Sequence, residues 1–238
     1  MRKEKKPIAI VLVSGGMDSL VAAAIASLEH EMAFLHLNYG QRTEKREHKA
    51  FNDIADFYGV KKRLVVDVGY LKEIGGSALT DKGIDIPIQT SATSQQLSAI
   101  PVTYVPFRNA HLLSIAVSWA EVIDAHKIYI GAVEEDSSGY PDCREVFYKA
   151  FGKAIDAGTK PDTKIEIITP LIHIRKSAIV KKGLKLNAPF HLTWSCYLPP
   201  YPPHGGGQGE VACGKCDSCR LRLKGFREAG ADDPIPYK

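Results

Sequence analysis

From Pro7 onward the chain alternates two kinds of segment. Short runs of consecutive apolar residues are followed by longer stretches in which apolar residues return every three or four positions. The short runs do not alternate apolar with polar, so they predict strands covered on both faces, over 7–13 (PIAIVLV), 31–37 (EMAFLHL), 62–68, 127–132 and 165–168. The longer stretches predict helices over 19–30, 43–58, 108–123, 144–157, 176–184 and 216–229. The second of these carries charge on one side and Ala50, Phe51, Ile54, Ala55 and Phe57 on the other, and Gly59 stops it. Residues 75–98 are polar and turn-rich, and 187–209 are rich in Pro and Gly. Both read as irregular, and a loop as long as the first is usually functional.

Strand followed by helix, repeated, gives parallel pairing with helices on both faces, a doubly wound α/β fold. In such a sheet ligands bind beyond the carboxyl ends of the strands. The change of composition near 187 predicts two units: an α/β domain over 1–186 and a small C-terminal lobe over 187–238 that ends in a helix.

The first strand-to-helix corner reads Ser14-Gly15-Gly16-Met17-Asp18-Ser19. The glycines allow a tight turn and leave room for a ligand. The N–H groups that open the helix favour an anion, and the two serines add hydroxyl donors. This predicts a cradle for phosphate or pyrophosphate. It is neither the Walker pattern nor the dinucleotide pattern. A plain helix cap is the simpler alternative.

Four of the five cysteines crowd the C-terminal quarter: Cys196, then Cys213, Cys216 and Cys219 in CGKCDSC. That spacing suits a closed four-thiolate site, with structural Zn²⁺ as the first reading and an iron–sulfur cluster as its rival. The four cations of the adjoining RLRLKGFR would offset the negative charge of such a site, and solvated surface charge explains them nearly as well. Cys143 stands apart, with no base near it in sequence, and reads as a pocket-wall thiol.

Two further segments reach strand ends. TYVPFRN brings Arg108 and Asn109 to a helix start, and Arg108 has the planar fork that suits a carboxylate or phosphate. GAVEEDSSGYPDCREVF gathers Glu134, Asp136, Tyr140, Asp142, Cys143 and Arg144 beyond the fourth strand, where they could recognise a heterocycle with amino and carbonyl edges. Lys176 opens a later helix and could meet a phosphate.

A chain of 238 residues with 45% hydrophobic and 24% charged residues is an ordinary globular composition. A net charge of +4 is too weak to argue for nucleic-acid binding. The basic start and the run before Ser14 do not make a secretory signal, because Gly15, Gly16 and Asp18 interrupt it. No apolar stretch is long enough to span a membrane. The expectation is a cytoplasmic protein.

S-G-G-x-D-S resembles the pyrophosphate loop (PP-loop) of the ATP-pyrophosphatase superfamily, whose fold is adenine nucleotide α-hydrolase-like. That resemblance implies ATP held along Val13, Ser14, Gly15, Gly16, Met17, Asp18, Ser19, Leu20, Val21, Ala22 and Ala23. It implies Mg²⁺ near Asp18, and catalytic duties for Ser14, Asp18, Ser19 and Lys176. In sequence order, SGGMDS, YVPFRN, SSGYPDCREVF, ITPL with Lys176, and WSCY…CGKCDSC resemble the 7-cyano-7-deazaguanine synthase family, from residue 8 to about 233. The stretch between Tyr197 and Cys213 reads as longer than that family's usual linker.

The family resemblance implies a queuosine-pathway ligase that converts 7-carboxy-7-deazaguanine and ammonia to the nitrile, by way of adenylated acid and amide. Arg108, Asn109, Asp136, Tyr140, Asp142 and Arg144 would bind the deazaguanine. The Cys₄ zinc would be structural and the protein a homodimer. No glutaminase segment is recognisable. The alternatives are a tRNA-modifying thiolase or lysidine-type synthetase, which the weak charge and short length disfavour, and a non-catalytic ATP-sensing module.

Overall fold

The computed structural model describes residues 6–88, 100–134, 139–202 and 209–238. Asp136 therefore lies outside the described residues, as does the end of the 75–98 loop. Five strands form one sheet: β1 (Ile8–Leu12), β2 (Glu31–Asn38), β3 (Lys62–Asp67), β4 (Lys127–Ile130) and β5 (Glu166–Ile168). Every pairing is parallel and the order is β3-β2-β1-β4-β5. Leu12 faces Leu35 on one side and Ile130 on the other, so β1 is the central strand.

The helices are α1 (Met17–Ala26), α2 (Glu44–Phe57), α3 (Tyr70–Ile74), α4 (Arg108–Ile123), α5 (Glu145–Gly158), α6 (Lys176–Lys185) and α7 (Asp217–Ala229). Ala9 and Val11 of β1 enter a core shared with α1, α2, α6 and α7, through Leu20, Phe51, Ile179 and Phe226. Ile10 and Leu12 enter the opposite core with Leu71, Leu113 and Ile155 of α3, α4 and α5. Successive strand residues point to opposite faces, so a strand serving two cores has no polar position to spare.

The sequence expectation for α1 needs correction, and α3 was not expected. α1 starts at Met17 rather than residue 19, with Gly16 as its N-cap in extended conformation, which brings Asp18 and Ser19 into the first turn. It ends at Ala26 rather than 30: the Ser27 hydroxyl donates to Ala24 O, and His30 N–H to Ala26 O, so the chain turns there. α3 has no counterpart in the apolar periodicity, because five residues are too few to show one. Short 3₁₀ turns at Pro141–Cys143 and Phe190–Leu192 were likewise not anticipated.

The C-terminal cysteines lie in a third cluster with Trp194, Ala212 and Ile235, which also takes in Ala50, Ala78 and Ile86 from earlier in the chain. Arg222 of α7, 1% exposed, ties the region together. Its guanidinium donates twice to Asp233, at 2.7 and 2.8 Å, and to Thr193 Oγ1 at 2.5 Å.

Candidate active site

The strands run outward from β1 in two directions, so the crevice at the carboxyl ends of β1 and β4 is the topological switch point. A cleft of about 270 Å³ opens there. One wall is the corner between β1 and α1. Gly15 has φ +88°, a left-handed conformation, and a Cβ on it would stand 2.8 Å from Glu47 O. Only glycine fits. Its carbonyl accepts the Trp194 N–H at 2.8 Å. Ser19 Oγ donates to Gly16 O at 2.8 Å and lies 3.2 Å from Ser14 Oγ. No side chain caps α1, and an anion site at a helix start uses the N–H groups that such a cap would otherwise take.

Lys176 Nζ reaches both oxygens of Asp18, at 2.8 and 3.0 Å. A cation and a carboxylate therefore flank the cradle. Gly131, where β4 ends, packs against the same turn: a Cβ there would stand 2.6 Å from the Asp18 carbonyl carbon. Val13, Ser14, Gly16, Met17, Asp18 and Ser19 line the cleft. Leu20, Val21, Ala22 and Ala23 are fully buried in the protein interior and support the turn from behind.

The opposite wall starts at α4. Phe107 holds a left-handed conformation, φ 57°, and delivers Arg108 into the cleft. Arg108 Nη1 donates to Tyr39 OH at 3.0 Å. Burial raises the Tyr39 phenol well above its ordinary range, against the pull of Arg108. Asn109 and Tyr140 also line the cleft, and Tyr140 OH donates to Thr103 Oγ1 at 2.8 Å. Asp142 is 3% exposed and turned onto α4: its Oδ2 accepts the Asn109 N–H at 2.9 Å, and Asn109 Nδ2 donates back to Asp142 O at 2.8 Å. Arg144 is exposed as the N-cap of α5 and does not line the cleft. Cys143 is in the wall, and burial pushes its thiol up to about 11, which makes it a poor nucleophile at neutral pH.

The corner between β2 and α2 was not anticipated. Tyr39, Gln41, Thr43 and Glu47 all line the cleft. The available signal was Gln41 and Thr43 just beyond a buried strand end, in NYGQRTEKRE.

The Sγ atoms of Cys196, Cys213, Cys216 and Cys219 lie within 4.8 Å of one another, all buried. Cys213 Sγ and Cys219 Sγ are 3.8 Å apart. Backbone N–H groups of Leu198, Lys215 and Cys216 point at these sulfurs from 3.3 to 3.4 Å. Four converging soft donors with N–H groups aimed at them suit a metal ion that binds thiolate.

Known proteins resemble this chain over nearly its whole length. It is 57% identical over 231 residues to the 7-cyano-7-deazaguanine synthase of Chlorobium phaeobacteroides, covering 97% of this chain and 96% of that one. The enzyme of the same name from Nautilia profundicola is 54% identical over 231 residues, 97% and 98% of the two chains. Among solved structures, the NMN synthetase of Francisella tularensis aligns at 14% identity with a TM-score of 0.49, over 96% of this chain and 79% of that one. The sequence profile described as queuosine biosynthesis protein QueC matches residues 8–230. The chain belongs to the QueC family.

Proposed function

We propose that the protein converts 7-carboxy-7-deazaguanine and ammonia to 7-cyano-7-deazaguanine with ATP as co-substrate. The observation that carries this reading is its identity of 54–57% over 97% of the chain to proteins of that name. The cleft supports it, with a phosphate cradle on one wall and Arg108 on the other. A carboxylate oxygen of the substrate attacks the α-phosphorus of ATP, and pyrophosphate leaves. Ammonia displaces AMP and gives the amide. The amide oxygen is adenylated by a second ATP; the nitrogen loses its protons as the C–O bond breaks, and AMP carries the oxygen away.

Both halves need the same approach of oxygen to phosphorus, so one site serves both. The chain's part is placement and charge. The turn from Ser14 to Ser19 holds the phosphates, Lys176 supplies a cation beside them, and Arg108 orients the substrate carboxylate. Asp18 is the carboxylate that would hold Mg²⁺, a hard ion that favours oxygen, whose charge offsets that of the phosphates.

The metal at the cysteines is Zn²⁺ in this reading. With Zn–S near 2.3 Å, a tetrahedron sets its sulfurs about 3.8 Å apart, the distance between Cys213 Sγ and Cys219 Sγ. With four protein ligands the site is structural. Among the described residues no helix is long and apolar enough to cross a membrane; a cytoplasmic location is part of the same reading. The division into 1–186 and 187–238 and the homodimer belong to the same reading.

The test is one incubation with 7-carboxy-7-deazaguanine, ATP, Mg²⁺ and an ammonium salt, with heterocycle and nucleotide both followed by mass spectrometry. Nitrile with AMP is expected. Nitrile with ADP would overturn the adenylation route, and an unchanged heterocycle would overturn the substrate. Metal analysis and an absorption spectrum of the same preparation test zinc: bound iron with a visible chromophore would overturn it.

A further inference from the structure

Behind Arg108, one wall of the cleft is a line of hydrogen bonds whose far end the reaction above does not use. Arg108 Nη1 donates to Tyr39 OH. The Tyr39 N–H donates to Gln41 Oε1 at 2.8 Å, which turns the Gln41 amide nitrogen onto Glu47 Oε2 at 3.1 Å. The Thr43 hydroxyl donates to Glu47 Oε1. Gln41 and Thr43 are each 5% exposed, so both donors are fixed. Glu47 is half-buried and lines the cleft.

Its position is unusual for a glutamate. Both donors are neutral, and no cation pairs with it among the described residues. Burial raises its pKa, and the bonds from Thr43 and Gln41 and the charge of Arg108 oppose that rise. A carboxylate offers about four acceptor sites, two on each oxygen. One on each is filled, which leaves one on each oxygen. Such a group in a cleft stays costly until donors complete it. Its complement is a pair of adjacent N–H groups on a flat ligand.

We infer that Glu47 is a specificity-determining residue for the heterocycle, its carboxylate accepting the ring N–H and the adjacent exocyclic amine of a 2-amino-4-oxopyrimidine edge. This rests on the proposed function and adds the residue that reads the guanine-like end of the substrate. Arg108, joined to Glu47 through Tyr39 and Gln41, meets the carboxylate on the five-membered ring. The adenine edge of ATP places an acceptor beside its amine, and a carboxylate repels it. The same cleft can therefore keep its two purine-like ligands apart.

The experiment is equilibrium binding to the intact, metal-loaded protein. The probes are 7-carboxy-7-deazaguanine and its analogue without the 2-amino group, with ATP measured alongside. The unaltered protein is expected to prefer the amino-bearing probe by on the order of 100-fold, because the analogue leaves a buried acceptor unmet. Glu47→Gln keeps the shape but offers one acceptor and one donor. It should shrink that preference to within a few-fold and leave ATP affinity unchanged.

Equal affinity of the unaltered protein for both probes, or binding of neither, overturns the inference without reference to any variant. So does a preference that survives Glu47→Gln. A loss of ATP affinity with the preference intact would assign Glu47 to the nucleotide's base instead. Nitrile formation with no Glu47-dependent preference would leave the proposed function standing and this inference refuted. A Glu47-dependent preference with no nitrile would do the reverse.

Discussion

Lys176 and Asp18, 158 positions apart in sequence, meet at 2.8 Å beside the proposed phosphate cradle. The lysine side chain is 11% exposed and the aspartate 29%. A pair so placed serves function more than stability, because desolvation offsets much of its attraction. Lys176→Met keeps the stem and removes the charge. With the adjacent Asp18 unneutralised, kcat/KM for ATP should fall on the order of 100-fold, about 3 kcal/mol of lost transition-state stabilisation. Pyrophosphate release would measure it, and an unchanged kcat/KM would remove Lys176 from the site. The glycine turn and the four cysteines were legible in the sequence, because glycine pairs and cysteine spacings state their own geometry; the pairing of Lys176 with Asp18 was not. Nor were Glu47 and Gly131. Glu47 looks like one more charge on the polar side of α2. Gly131 shows its purpose only when α1 is laid against the end of β4.

Among elements, α4 shows how a neighbour sets a functional side chain. Its N-terminus has no capping side chain of its own. Asp142, from the turn after β4, does that work from outside through Asn109 and so fixes where Arg108 emerges. Burial raises the Asp142 pKa, while the Asn109 N–H and Arg108 pull it down. A carboxyl group with a raised folded-state pKa stabilises the fold most below its ordinary value of 3.8, and that contribution is lost as pH rises through the folded value. Asp142→Asn does not titrate. Urea unfolding from pH 4 to pH 7 should show the unaltered protein losing ground to Asp142→Asn as pH rises. A gap that widens in favour of the unaltered protein would mean that Asp142 is stabilised as the anion. At this level the sequence was a good guide: each expected strand and helix exists, with ends displaced by a few residues. What escaped it was short, namely α3 and two 3₁₀ turns, where no period can develop. The capping of α4 from a distance escaped it as well, because it depends on a contact between residues 33 positions apart.

For the molecule as a whole, alternation of strand and helix indicated a parallel sheet but not the order β3-β2-β1-β4-β5, which depends on which strand β4 chooses to pair with. The other unforeseen feature is how closely the cysteine region is joined to the phosphate cradle. Two residues before Cys196, the Trp194 N–H bonds the Gly15 carbonyl, and the cysteine cluster packs on Ala50 of α2, the helix whose backbone meets Gly15. In the proposed reading, metal loading bears on the turn from Ser14 to Ser19 as well as on the cysteine region. Without metal, four thiols held within 4.8 Å lose the bond that gathers them, and binding energy that served as folding energy goes with it. Chelation should lower the melting temperature by roughly 10 °C. It should also weaken ATP binding in proportion to the metal removed, at a temperature where circular dichroism still reports the helices of the α/β domain. Restoring Zn²⁺ should restore both. ATP affinity that survives full chelation, with only the melting temperature reduced, would show that the cradle stands on β1 and α1 alone and that the Trp194–Gly15 contact is incidental to it.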